Sequence, residues 1–350
     1  MTIGAKCQRI EWIDLSKTIC IYLVILGHAF SYSIPKEYFL RNFIYLFHLP
    51  VFFFVSGYLF RIKEEGKAFL PFLLSCFKSL IIPYIFLNLI TILLNIPFLL
   101  YHSISHPSSY YLLGHDHTLQ QSLFYFLIGH GYAPSGPAWF LVCLFWIKVQ
   151  MYFITRLCDR LQLLLAIIYG FVAFYFPWRL YWNIDASFMA MPIFIIGNLS
   201  KKHLSKQINK RYTVLALLSV FIVALVSTGL LTLVQHKEAM FSRLFGTYGF
   251  LFYVGAFTGI VMIVSLSKLL ERWNTKVVTV ISSGSIIIMG LHGVFYQYTM
   301  LALKKFSFLS NMELSITLKV VICLIVLAEM YLPIIFLQKH CSQFLGGRRL

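Results

Sequence analysis

The sequence predicts an all-α protein, a polytopic membrane helical bundle of about ten transmembrane helices. Three observations predict it. Hydrophobic residues make up 59% of the chain and charged residues 12%, against about 45–50% and about 25% in an ordinary soluble domain. The mean hydropathy is +0.80. The charges fall between apolar runs of about 20 residues, the length that crosses a bilayer. The formal charge of +17 does not point to nucleic acid. The basic residues sit in short clusters between apolar segments, as flanks of membrane spans do, and form no single patch.

The spans read as 12–31, 43–60, 76–100, 137–155, 161–177, 187–200, 212–234, 246–267, 278–302 and 315–337. No small-residue cleavage site follows the first, so it reads as a span and not as a cleavable leader. The fourth opens with Pro137, which suits a first helical turn. The sixth is short and begins near Pro192. A partly apolar stretch at 119–129 is too short to cross and reads as re-entrant or interfacial. Neither an internal repeat nor a pair of broken helices is evident, so the pattern of an inverted-repeat transporter is missing. The chain reads as one domain, 1–350, with short tails at about 1–11 and 338–350.

Orientation follows from lysine and arginine. Lys17, Lys148 and Lys319 fall inside spans. Of the remainder, nineteen flank one side, among them Arg9, Arg61, Lys78, Lys206 and Arg272, and seven flank the other: Lys36, Arg41, Arg179, Lys237, Arg243, Lys304 and Lys305. The richer side is expected to be cytoplasmic, with both termini on it. The long loop near 101–136 lies on the opposite side, contains no Lys or Arg, and suits a polar acceptor. Seven cysteines are scattered without metal-type spacing and read as small buried residues.

Ionisable groups within spans are the first candidates for chemistry. In the first span Asp14, Lys17 and His28 share one face: at about 100° per residue Lys17 and His28 differ by about 20°, and their axial separation is about 16 Å. Their ordinary alternative is a snorkelling lysine and a packed histidine. The second span contains Phe47-His48-Leu49-Pro50-Val51-Phe52-Phe53-Phe54-Val55-Ser56-Gly57, with His48 in its outer half and Gly57 suited to close helix approach. Trp139 sits where interfacial anchors are common. The ninth span carries Ser282-Ser283-Gly284-Ser285 and then His292, with Ser285 and His292 about 20° apart. A histidine beside hydroxyls suits general acid/base work. Lys148 and Glu329 are further intramembrane charges that could pair or line a cavity. His102, His106, His115, Asp116 and His117 lie in the outer loop, but their spacing is too thin a basis for a metal site, and none is expected. P-loop, Rossmann, HExxH and nucleophile-elbow patterns do not occur.

At these residues the chain resembles the membrane-bound acyltransferase-3 family of O-acyltransferases, most closely its short, fucose 4-O-acetylase-like branch. The resemblance rests on Trp12, Ile13, Asp14, Lys17 and His28, then on Phe47, His48, Pro50, Phe52, Phe53, Ser56 and Gly57 in register. Trp139-Phe140-Leu141 and Ser285 through His292 add weaker matches. Lysine stands at 17 where much of the family has arginine, which weakens a bidentate contact there. The resemblance implies a ten-helix core in a bacterial cytoplasmic (inner) membrane. It also implies an acyl-CoA donor, usually acetyl-CoA, used as substrate with no bound cofactor. The implied acceptor is a carbohydrate hydroxyl on a glycan or lipid-linked saccharide. The roles expected on that basis are His28, His48 and His292 in catalysis, Lys17 and Asp14 at the CoA moiety, and Trp139 and Ser285 at the acceptor. The competing expectation is a saccharide-export accessory protein without acyl transfer.

Overall fold

The computed structural model describes residues 9–31, 33–62, 68–105, 119–236, 238–304 and 314–347. Among the described residues the regular structure is helical, apart from a two-residue ribbon that pairs Glu238–Ala239 with Leu244–Phe245. Among the described residues, eight helices are long and apolar enough to cross a membrane. Helix α1 is Glu11–Ala29 and α2 is Pro35–Tyr58. The third passage is α3, Phe69–Cys76, a π-turn, Phe77–Ile81, and α4, Ile82–Ser105. The short α5, Leu119–Leu127, is followed by α6, Trp139–Ile154. Then come α7, Asp159–Tyr175, and α8, Ile184–Asn209, shorter or more highly charged than the eight. After these run α9, Val214–Val234, and α10, Gly249–Leu269. The last two passages are α11, Lys276–Ser283, with α12, Ser285–Lys304, and α13, Ile316–Glu329, with α14, Tyr331–His340.

The observed bounds correct several sequence-based ones. Helix α2 begins eight residues before 43, because Pro35 supplies a ready first turn. Helix α8 runs unbroken through Pro192 and nine residues beyond the expected end at 200. Three passages are interrupted, at the π-turn, at Gly284 and at Met330. Gly284 sits where an added Cβ would collide with Ile334 of α14, so the bare backbone there permits the contact. The short apolar α5 does not span, as expected.

In lipid the association of helices rests on close packing and internal polar contacts more than on hydrophobic expulsion. Helices α2 and α8 show this directly. A methyl on Gly57 would overlap the Phe194 carbonyl oxygen, and one on Gly197 would overlap the Phe54 carbonyl oxygen, so two glycines make a reciprocal backbone contact. Gly255 and Gly259 let α10 approach Leu46 and Phe47 of α2 in the same way. Helix α1 packs against α2, α10, α11, α12 and α13 and lies at the centre. Helix α9 has only 11% of its apolar window buried and forms a lipid-facing edge. Cys20, Cys76, Cys143 and Cys323, in or beside apolar segments, are buried as expected, whereas Cys158 is exposed and Cys341 half-buried.

Candidate active site

Three histidines expected from the sequence converge at one level of the bundle. The rings of His28 on α1 and His292 on α12 lie 5.3 Å apart between centroids. The Tyr45 ring on α2 lies 6.1 Å from His28 and 5.0 Å from His48, so Tyr45 joins the third histidine to the other two. The Arg41 guanidinium lies 4.2 Å above the Tyr45 ring centroid, a cation–π arrangement.

The helices set the ring orientation. His48 and His292 are 3% exposed. The Nδ1 of His48 lies 2.7 Å from the Ile44 carbonyl oxygen, and the Nδ1 of His292 lies 2.9 Å from that of Ile288 and 3.1 Å from that of Met289. A carbonyl can only accept, so Nδ1 donates in both and Nε2 of the neutral ring is left as the acceptor nitrogen. His28 differs: its side chain is exposed although Val24, Ile25, Leu26, Gly27 and Phe30 around it are buried. It packs beside Tyr45, the eleventh residue of α2. Helix α2 therefore rises about 15 Å beyond the histidine layer as a rim, and the His28 side chain is exposed beside it. The early start of α2 also moves His48. With α2 starting at Pro35, His48 is its fourteenth residue of 24, near the middle of the helix and not in its outer half.

The rim is fixed by a buried ion pair. Lys319 Nζ donates to Glu37 Oε1 and Oε2 at 2.8 and 2.7 Å, and the Ser31 amide donates to Oε2 at 2.7 Å. Lys319 is thus a structural cation that ties α13 to α2. Of the other intramembrane charges, Glu329 accepts from Thr299 Oγ1 at 2.8 Å.

Trp139 enters by way of its neighbour. Ser135 donates through Oγ to the Gly290 carbonyl at 2.8 Å, and its amide donates to Asn88 Oδ1 at 2.9 Å. The turn that begins α6 is therefore latched to the turn of α12 that carries His292. Ser285, buried at the other side of that turn, is seven residues from His292, about 10 Å along the axis. It lies at the Gly284 break and not in the histidine layer.

Asp14 and Lys17 occupy the opposite end of α1. Asp14, 6% exposed, accepts from Ser282 Oγ at 2.6 Å and pairs with Arg9 Nε at 3.3 Å. The carboxylate thereby fastens α1 to α11 and to the segment before it. Lys17 is half-buried one turn above. His106, His115, Asp116 and His117 lie outside the described residues. Sequence reasoning missed Tyr45, Arg41 and Ser135. Arg41, Tyr45 and His48 follow a four-and-three spacing that places them on one face, which is the signal that was available.

The arrangement supplies two polar ends of a single helix, one carrying Asp14 and Lys17 and one with an exposed imidazole beside His292 and, by way of Tyr45, His48. A profile of the acyltransferase-3 family, described as an acyltransferase domain, matches residues 10–332. Comparison with curated proteins and with solved structures returns no match. The matched stretch takes in every element from α1 to α13, including the whole histidine layer. The chain therefore belongs to the acyltransferase-3 family and is a multi-pass membrane acyltransferase.

Proposed function

We propose that the protein transfers an acetyl group from acetyl-CoA to a carbohydrate hydroxyl of a cell-envelope or exported glycan, met as free glycan or lipid-linked saccharide. The observation that carries this reading is the His28 imidazole, exposed and 5.3 Å from His292. In this reading the Asp14–Lys17 end faces the cytoplasm of a bacterial inner membrane and meets the donor, with both termini on that side. Lys17 offers a cation to the CoA phosphates. The pantetheine arm then runs along α1 towards the histidines, and the acceptor enters beside the rim of α2.

A sugar hydroxyl is a poor nucleophile near neutral pH. The His28 imidazole takes its proton as the oxygen attacks the thioester carbonyl. The new C–O bond forms, the C–S bond breaks, and the proton passes to the departing CoA sulfur. The transfer is direct, without an acyl-enzyme. Tyr45 positions His28 and His48, and His292 orients the acceptor beside the base. Trp139, held by the Ser135 latch, borders the acceptor.

The test combines two measurements. Acetyl esters on surface glycans are followed by NMR with and without the gene, and transfer from labelled acetyl-CoA is followed in purified membranes. Loss of a specific ester together with CoA release supports the reading. Unchanged glycans with altered export would replace it by an export-accessory role.

A further inference from the structure

We propose that the turn from α8 to α9, with Lys206, Lys210 and Arg211, is a docking surface for the headgroups of anionic phospholipids. The surface is independent of the acetyl-transfer reading.

The charge balance comes first. From Ala186 to Lys237 the sequence contains no Asp or Glu, yet Lys201, Lys202, Lys206, Lys210 and Arg211 crowd into one short stretch. One carboxylate from elsewhere faces that stretch. Asp159, at the start of α7, accepts from Lys202 Nζ at 2.7 and 2.9 Å and lies 2.7 Å from His203 Nε2. Lys202 is thereby committed to holding α8 against α7. Among the described residues no carboxylate pairs with Lys206, Lys210 or Arg211, and all three are exposed. Lys201, Ser205 and Ile208 follow a four-and-three spacing and are half-buried, which makes theirs the inner face of the helix. Lys206 therefore lies on the open face.

The patch adjoins lipid. Helix α9 begins three residues after Arg211, Val214 and Leu215 at its start are exposed, and only 11% of its apolar window is buried. Acyl chains meet such a surface, so the cations just before it stand at headgroup depth. The length of α8 agrees. Its 26 residues make about 39 Å of helix, against about 30 Å for a hydrocarbon core, so its polar end reaches the boundary. Leu204 and Tyr212 are exposed beside the cations, and an apolar and an amphipathic side chain suit that same boundary.

Place and charge together select the occupant. A soluble polyanion would have to be held by the cations alone. A phospholipid is already anchored at their depth by its acyl chains, and its phosphodiester needs only to be retained. A basic cluster at the membrane boundary gains about fivefold in attraction to an anionic leaflet for each cation near the surface. That attraction weakens as salt rises.

The test uses the full-length protein in nanodiscs of equal parts phosphatidylcholine and phosphatidylglycerol. A photocrosslinker in place of the exposed Gln207 captures the lipid beside the patch, and mass spectrometry identifies it. Phosphatidylglycerol is expected about fivefold or more above its share of the bilayer, and that excess should shrink in high salt. Neutralising the patch with Lys206→Gln, Lys210→Gln and Arg211→Gln together should return capture to the bulk ratio. A control with Lys276→Gln and Lys339→Gln removes exposed cations from the ends of α11 and α14 and should leave the excess intact. Capture at the bulk ratio in wild type overturns the proposal, as does an excess that survives the triple change or that the control abolishes equally. An excess that persists in the triple variant while its Michaelis constant for acetyl-CoA rises would assign the cations to the donor instead. Should the triple variant fail to accumulate, the salt series on the otherwise wild-type protein decides, and an excess indifferent to salt overturns the proposal. Failure to find acetyl transfer to any acceptor would remove that reading and leave this surface standing.

Discussion

His28 shows how much one exposed side chain decides. It stands open where its neighbours on α1 are buried, and its distance from His292 makes the two separable by mutation. In His28→Ala, at normal membrane abundance, acetyl transfer should fall by about 10²–10⁴-fold. His292→Ala should act mainly on the acceptor Michaelis constant. A reversed pattern would move the base to α12, and near-normal turnover in both would end the histidine mechanism. Lys17→Met should raise the apparent Michaelis constant for acetyl-CoA; a mere fall in protein yield would make Lys17 a snorkelling residue. Glu37 and Lys319 offer a stability test. Lys319→Met alone strands a buried carboxylate and should destabilise by about 3–5 kcal/mol, whereas the double change with Glu37→Gln should recover most of that. Thermal unfolding of the single and double variants decides. The three histidines were legible because polar groups are scarce in these spans. Tyr45 was not, because aromatic residues make up 17% of the chain and a tyrosine near a histidine is no signal there. The Glu37–Lys319 pair was hidden for another reason: its members are 282 positions apart, and only the packing of α13 against the start of the chain joins them.

The helices owe their arrangement to places where side chains are missing. Gly57 and Gly197 meet backbone to backbone, and a valine at either should prevent α2 and α8 from closing. The expected result is loss of folded protein at membrane extraction; normal yield and activity for Gly57→Val would refute the reciprocal contact. A role for Gly57 in close approach was readable from the sequence, but its partner was not, since Gly197 belongs to a span of uncertain extent. The breaks at the π-turn, Gly284 and Met330 were not predicted. Each has a local correlate: Pro83 follows the π-turn and Pro333 follows Met330, each withholding a helical N–H, and Gly284 sits within Ser282-Ser283-Gly284-Ser285. The proline at 192, conversely, leaves α8 whole.

At the scale of the molecule, hydropathy conveyed the class; of the ten expected spans, eight helices among the described residues are long and apolar enough to cross, and the distribution of Lys and Arg predicts their sidedness. Cysteine introduced at position 206 should resist an impermeant thiol reagent in intact cells, and cysteines in the 101–136 loop should react; labelling at 206 would invert the orientation. The histidine layer, though, depends on an offset no hydropathy profile records. Helix α2 extends about 15 Å past it. Under the proposed acetyl transfer to a saccharide, that overhang sets the timing of the modification in biosynthesis, since the acceptor has to pass it to reach His28. A free terminus or a single repeat unit on its carrier can be lowered to the base. The interior of a finished, stiff polymer cannot bend far enough to follow. Ester groups on the mature product should accordingly occur at regular, per-repeat positions laid down before polymerisation, and purified polymer should be a far poorer substrate than its own repeat unit.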